Sequence, residues 1–281
     1  MRKSWITLGA LLAGVIALAL FVWLKPLKPQ SITYAVSTLK VTDARKLRVQ
    51  RKGKTLTVLE KRGSEWFMTE PITAPADAFR VLRLLSVLEA KSATQYPAVP
   101  PHVLAKFELD APQTELIIND QRFAFGAINT VTREQYVLAQ MQIFPLDPHY
   151  AAAVPTNANA LLRRSVLAPG DTPVRFEFGE FSVATDGRKW STTPQAGDTS
   201  QDDYNHWVAQ WREGSALRSE ISDDRKAPRE ILVTLKDATK ITLGVVQSEP
   251  ELTVRRADLG LQFVFAGDIG TRMISPPLAQ K

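Results

Sequence analysis

The chain has 281 residues, with 35 Lys and Arg against 29 Asp and Glu, three histidines and no cysteine. Without cysteine there is no disulfide, no thiolate chemistry and no lipid-modified cysteine anchor. The first thirty residues hold four of the bases and no acid, so the rest has 31 against 29 and a net charge of only +2. Such a balance says little for nucleic-acid binding, which would need a concentrated basic face.

Residues Trp5 to Leu24 form a run of twenty positions without a charge, preceded by Arg2 and Lys3 and followed by Lys25 and Lys28. At about 1.5 Å per helical residue the run is about 30 Å long, enough to cross a hydrocarbon core. Trp5 and Trp23 mark its ends, where indoles favour the membrane-water interface. A cleavable signal peptide has a shorter apolar region and a small-x-small exit, whereas this run ends in the bulky Phe21-Val22-Trp23-Leu24-Lys25-Pro26. The expectation is an uncleaved single-pass anchor over residues 1–26 in the bacterial inner membrane. With the short basic N-terminus inside, the remainder lies in the periplasm.

Residues 27–42 are expected to be a juxtamembrane linker. Arg45 to Arg62 then holds eight bases and one acid, Glu60, alternating with Leu47, Val49, Leu56 and Val58. This is the pattern of a hairpin with a solvated face, and weak attraction to anionic lipid is the lesser reading. Glu65-Trp66 follows the turn Lys61-Arg62-Gly63, and after a proline-bearing loop Ala78, Val81, Leu82 and Leu85 fall at i, i+3, i+4 and i+7 of a helix. Ala111-Pro112 opens a hairpin, Thr114 to Ile118 and Arg122 to Gly126, turning at Asn119-Asp120. Strands at Gln135 to Leu138 and Gln142 to Phe144 follow.

The same order then recurs. A hairpin, Val174 to Val183, precedes the turn Asp186-Gly187-Arg188 and Lys189-Trp190. Ser200-Gln201-Asp202-Asp203 reads as a capping box before a helix with Tyr204, Trp207, Val208 and Trp211 on one face. Ala227-Pro228 opens a hairpin, Glu230 to Leu235 and Lys240 to Gly244, turning at Lys236-Asp237. Strands at Leu252 to Arg255 and Leu261 to Phe265 close the copy. The expected fold is α+β: a transmembrane helix, then two duplicated modules of mainly antiparallel sheet, each with three strands, one packed helix and four strands. The modules cover residues 43–154 and 173–274. The connection 155–172 carries a short helix over Ala158 to Leu167, and the tail 275–281 is expected to be disordered.

No constellation of reactive residues emerges. Asp202 and His206 stand four apart on the second helix, a spacing that can put two metal ligands on one face, with Asp203 nearby. Acids in a first turn, however, serve the helix dipole, and His102 and His149 are remote in sequence. Ser37-Thr38-Leu39-Lys40 matches the serine-x-x-lysine pattern of penicillin-interacting enzymes, but the Ser-Asp-Asn and Lys-Thr-Gly elements are missing. Ser222-Asp223-Asp224 and Lys52-Gly53-Lys54-Thr55 do not replace them. There is no G-x-S-x-G elbow and no phosphate-binding glycine loop, and no pair among the many carboxylates is singled out for glycoside chemistry. Trp66, Trp190, Trp207 and Trp211 are expected in the core. No catalytic residue, cofactor, metal, small-molecule ligand or nucleic-acid partner is expected.

A set of structural motifs carries a family resemblance: Trp66 followed by Pro71, Ala76-Asp77 leading into Leu82, Leu84, Leu85 and Leu88, Phe107-Glu108-Leu109-Asp110-Ala111-Pro112, the strand Thr114 to Ile118, Gly126, and Tyr136-Val137-Leu138. With these the chain resembles an uncharacterised bacterial family of membrane-anchored envelope domains, some encoded beside gliding-motility-type auxiliary ABC transporter components. Glu108 stands where that family usually has glycine. The resemblance implies a fold and an envelope location, with no activity and no functional residues to carry over. The leading expectation is a non-enzymatic envelope protein, an accessory or scaffold subunit binding another protein within a transporter-associated complex, with ABC transporter components as partners. The alternatives are a cell-wall or exopolysaccharide binding module, which needs exposed Trp190, Trp207 and Trp211, and a hydrolase, which needs a concave pocket of clustered carboxylates.

Overall fold

A computed structural model describes residues 12–20, 32–54, 56–98, 102–195, 197–223 and 225–277. Of the apolar run Trp5 to Leu24, residues 12–20 form a helix (α1), and the rest of the run lies outside the described residues. Among the described residues no helix is long and apolar enough to cross a membrane, so the spanning helix expected over 5–24 is represented only by this segment.

The first module contains β1 (Tyr34–Ala35), β2 (Lys46–Arg51), β3 (Thr57–Arg62), β4 (Glu65–Glu70), β5 (Ala74–Pro75), α2 (Ala78–Leu85), β6 (Lys91–Ser92), β7 (Tyr96–Pro97), α3 (His102–Lys106), β8 (Thr114–Ile118), β9 (Gln121–Ile128), β10 (Gln135–Ala139), β11 (Gln142–Leu146) and α4 (His149–Ala152). The second contains β12 (Pro173–Glu177), β13 (Ser182–Thr185), β14 (Trp190–Thr193), α5 (Gln201–Glu213), β15 (Arg218–Ile221), β16 (Arg229–Leu235), β17 (Lys240–Gln247), β18 (Leu252–Arg256), β19 (Leu261–Phe265) and α6 (Gly267–Ile274). The chain is thus mainly antiparallel sheet with a few helices.

The first sheet has the order β5-β4-β3-β2-β8-β9-β10-β11-β7 and the second β14-β13-β12-β16-β17-β18-β19-β15. Apart from β5, the two have the same connectivity. Both carry a register shift at the same joint, between Gln135 and Val137 on β10 and between Val245 and Gln247 on β17. Both also have a glycine at or beside this joint, Gly126 and Gly244. A Cβ on Gly126 would collide with the Phe107 carbonyl and crowd Leu109, and one on Gly244 would meet the Ala227 Cβ at 2.8 Å. In each copy the segment entering the central strand crosses the sheet there, where only a bare backbone leaves room. The edge strand that follows each helix, β7 or β15, was not anticipated; at two to four residues it is too short to show alternation.

Part of the expected linker belongs to the fold. Val36 is fully buried, and its N–H donates to the Ala90 carbonyl (3.1 Å), while β1 pairs with β6. The connection between modules also departs from expectation. Helical structure is confined to a 3-10 turn, Ala158–Leu161, with the Asn157 carboxamide as its cap, rather than running to Leu167. Beyond it the backbone is claimed by two sheet edges. Leu162 bridges Ala76, Asp77 N–H donates to Leu161 O (2.8 Å) and Arg163 N–H to Pro75 O (3.0 Å). On the other side Ala216 N–H donates to Arg164 O (2.9 Å) and Ser219 Oγ to Arg163 O (2.7 Å). These bonds satisfy peptide groups that a helix would otherwise have paired internally, and they lace β5 of one sheet to β15 of the other.

One hydrophobic cluster runs through both modules. In the second, Phe176 packs edge-on to Trp207 (5.0 Å, 80°) and beside Trp211 (5.8 Å). Trp207 Nε1 donates to the Arg272 and Ser275 carbonyls and Trp211 Nε1 to Met273 O (3.1 Å). The indoles thereby satisfy carbonyls at the end of α6, where the helix leaves them open. Of the tail expected to be disordered, Ser275 and Pro277 are held, the latter buried with its carbonyl accepting from Thr199 Oγ1 (3.0 Å); residues 278–281 lie outside the described residues.

Candidate functional site

Helix α5 buries the expected face, Tyr204, Trp207, Val208 and Trp211, and the Ser200–Asp203 capping box forms. Helix α2 does not. It buries Val81, Leu84 and Leu85, and leaves Ala78 and Leu82 outside with Phe79, which is 71% exposed against 56% for Leu82. Ala78-Phe79-Arg80-Val81-Leu82-Arg83-Leu84-Leu85 has more apolar residues than one face can hold, so periodicity alone admitted two faces. The adjacent pair Leu84-Leu85, continued by buried Val87 and Leu88, takes the core side. The outward surplus, Phe79 and Leu82 flanked by Arg80 and Arg83, is an apolar patch of the kind that marks contact sites.

Beside this patch lies an open cleft of about 490 Å³ between the modules. Trp66, Pro75 and Phe79 supply its apolar wall, Arg163 and Arg164 come from the lacing segment, and Glu213 and Ser215 come from the end of α5. Asp77 starts α2, accepting from Arg80 N–H (3.0 Å). Arg163 is half-buried, and its Nε has no hydrogen-bond partner. Burial, then the charge of Arg256, pushes its guanidinium pKa down, against the pull of Glu65, Asp171 and Asp258. Arg256 is buried but satisfied: it makes a two-pronged pair with Asp258 (2.9 and 2.6 Å) and donates to Val166 O (2.7 Å). An apolar lip above a partly desolvated cation suits a segment that combines an apolar side chain with an acidic group.

The residues weighed in the sequence are dispersed. His102 and His206 are exposed on α3 and α5, and His149 Nδ1 pairs with Asp147 (2.9 Å) at the surface. Among the described residues no three His, Asp or Glu are grouped to hold a metal. Ser37 Oγ donates to Gln121 Oε1 and accepts from Leu39 N–H (3.0 Å), which pins the incoming chain to β9. Lys46 pairs with Glu60 (2.8 Å), Arg51 donates to Val154 O (3.0 Å) and Arg62 sits over the Phe67 ring, so much of the basic hairpin is engaged within the module. Trp66, Trp207 and Trp211 are buried and Trp190 half-buried. Of the three indoles that a tryptophan-based saccharide platform would use, Trp207 and Trp211 are packed in the core and Trp190 is partly exposed. Gln201 bridges the Trp190 backbone at both N–H and carbonyl (2.8 and 2.9 Å), occupying the outer edge of β14 at that point.

A protein-family model described as "Domain of unknown function (DUF4340)" matches residues 66–223, more than half of the chain. The match begins on β4, includes α2 and the lacing segment, and ends beyond β15, so it contains the patch and all of the cleft lining except Ser64 and Glu65. No curated protein and no solved structure matches the chain.

Proposed function

Since the chain belongs to the DUF4340 family, we propose that it is a non-enzymatic envelope protein, anchored through residues 5–24, that works by binding another protein. In this reading it is an accessory or scaffold subunit of a transporter-associated complex, with its folded part in the periplasm. The two sheets are copies of one module, laced together so that they present a single surface. The observation that carries the reading is the exposed pair Phe79 and Leu82 beside the inter-module cleft; apolar side chains left outside on a well-packed helix are best explained by a partner that covers them. The uncharged run Trp5 to Leu24 supports the anchor.

A photocrosslinking residue placed at Phe79 or Leu82 of the full-length protein in its native membranes tests this. A discrete adduct with one envelope protein is expected from both positions and not from Thr242, an exposed site on β17. Lack of any adduct from the patch, or recovery of the full-length protein in a carbonate-washed soluble fraction, would refute the reading.

A further inference from the structure

The two modules share a cavity as well as a strand order. Counting from Gly126 and Gly244, Phe123 and Ile241 are equivalent, and so are their partners Leu116 and Val233 and, across the next ladder, Val49 and Phe176. Arg51 therefore holds the place of Phe178. In the first module Arg51 reaches from the β2–β3 hairpin to Val154 O just after α4, and the space between hairpin, Pro71 and residues 155–158 is only about 200 Å³. In the second module the same three elements, the β12–β13 hairpin, Pro194 and the segment after α6, border an open space of about 520 Å³.

What replaces the arginine is an aromatic wall. Phe178 and Phe181 flank a two-residue turn closed by Phe178 N–H to Phe181 O (2.9 Å), and their rings stack at 4.4 Å and 9°. Phe178 leans inward toward Trp207 and Trp211, which fixes the pair to the core, and both rings line the cavity. Around it stand Glu180, Glu249, Arg229 and Gln195. Among the described residues Glu180, Glu249 and Arg229 make no ion pair with one another or with any other group. Two carboxylates accept hydrogen bonds, and a guanidinium and a carboxamide donate them. A ring platform bordered by both acceptors and donors suits a neutral polyhydroxylated ring, whose C–H face lies on the aromatic and whose hydroxyls serve as donors and acceptors at once.

We propose that this second-module cavity, opened by Phe178 in place of the arginine, is a binding site for a neutral saccharide unit, separate from the protein-binding patch on α2. The test uses the full-length protein in detergent and saturation-transfer NMR with maltotriose, cellotriose and the trimer of N-acetylglucosamine. At least one should bind at about 10 mM or below, with saturation concentrated on ring C–H protons and little change in high salt. Phe181→Ala should weaken binding about tenfold, and Glu249→Gln and Arg229→Gln severalfold. The two polar sites are exposed, so their variants keep the test readable if Phe181→Ala disturbs folding. Arg51→Ala, in the smaller first-module cavity, should leave binding unchanged. The site is refuted if no trimer binds, if binding survives both Phe181→Ala and Glu249→Gln, or if tetralysine binds where the sugars do not. None of these outcomes bears on crosslinking at α2.

Discussion

Arg256 shows how a single residue can hold the modules in place. Its guanidinium, almost wholly buried, faces Asp258 on one side and the Val166 carbonyl of the connecting segment on the other. The hydrogen bond from Arg256 is the main reason that the Asp258 carboxyl is held below the usual carboxylate range. A depressed folded-state pKa gives stability that is present above the unfolded value of about 3.9 and lost as pH falls through the folded one. Asp258→Asn should therefore cost about 1–2 kcal/mol near neutral pH, discounted because the Asp258 side chain is more than half exposed. The gap between wild type and variant in urea titrations should close as pH falls below about 4. A gap that stayed constant with pH would mean that the pair contributes packing and not charge. This arginine drew no notice in the sequence, because a buried cation in a strand reads as an outward one until its neighbours are known.

At the scale of elements, α2 separates what pattern can decide from what it cannot. Helix α5 was legible because its four large apolar residues leave one choice of face and Ser200 and Asp203 mark its start. In α2 the apolar residues overfill the helix, and the choice between Ala78–Leu82 and Leu84–Leu85 was made by tertiary packing. The hairpins and Ala-Pro entries were readable for the same reason as α5, since turn residues bound them on both sides. The segment after Leu161 was not, because its hydrogen bonds go to edges far away in sequence. A consequence can be measured. Val81→Ala should lower stability by about 1–3 kcal/mol, whereas Phe79→Asp and Leu82→Asp should each shift it by less than about 0.5 kcal/mol while abolishing the crosslinked adduct. Equal destabilisation by all three in thermal melts would assign Phe79 and Leu82 to the fold and remove the patch as a docking surface.

For the molecule as a whole, the lacing segment decides whether two similar sheets act as two domains or one. Repeated modules that merely touch unfold independently, each with its own transition. Here residues 161–164 bond to β5 and to β15, and the buried cluster is continuous from Val36 to Met273. Loss of either sheet would strip an edge of the other and expose shared apolar surface, so unfolding should be a single transition. The tryptophans provide the means of checking this, because Trp190, Trp207 and Trp211 report on the second module. Gly126→Ala lies in the first module, where the added methyl strikes the Phe107 backbone and should cost about 2–3 kcal/mol. In a background with Trp5, Trp23 and Trp66 replaced by phenylalanine, that variant should move the fluorescence midpoint of the distant tryptophans as far as it moves the circular-dichroism midpoint. If the fluorescence midpoint stayed at the value of its Gly126 parent while the dichroism split into two steps, the sheets would be separate folding units, and the cleft between them a flexible joint.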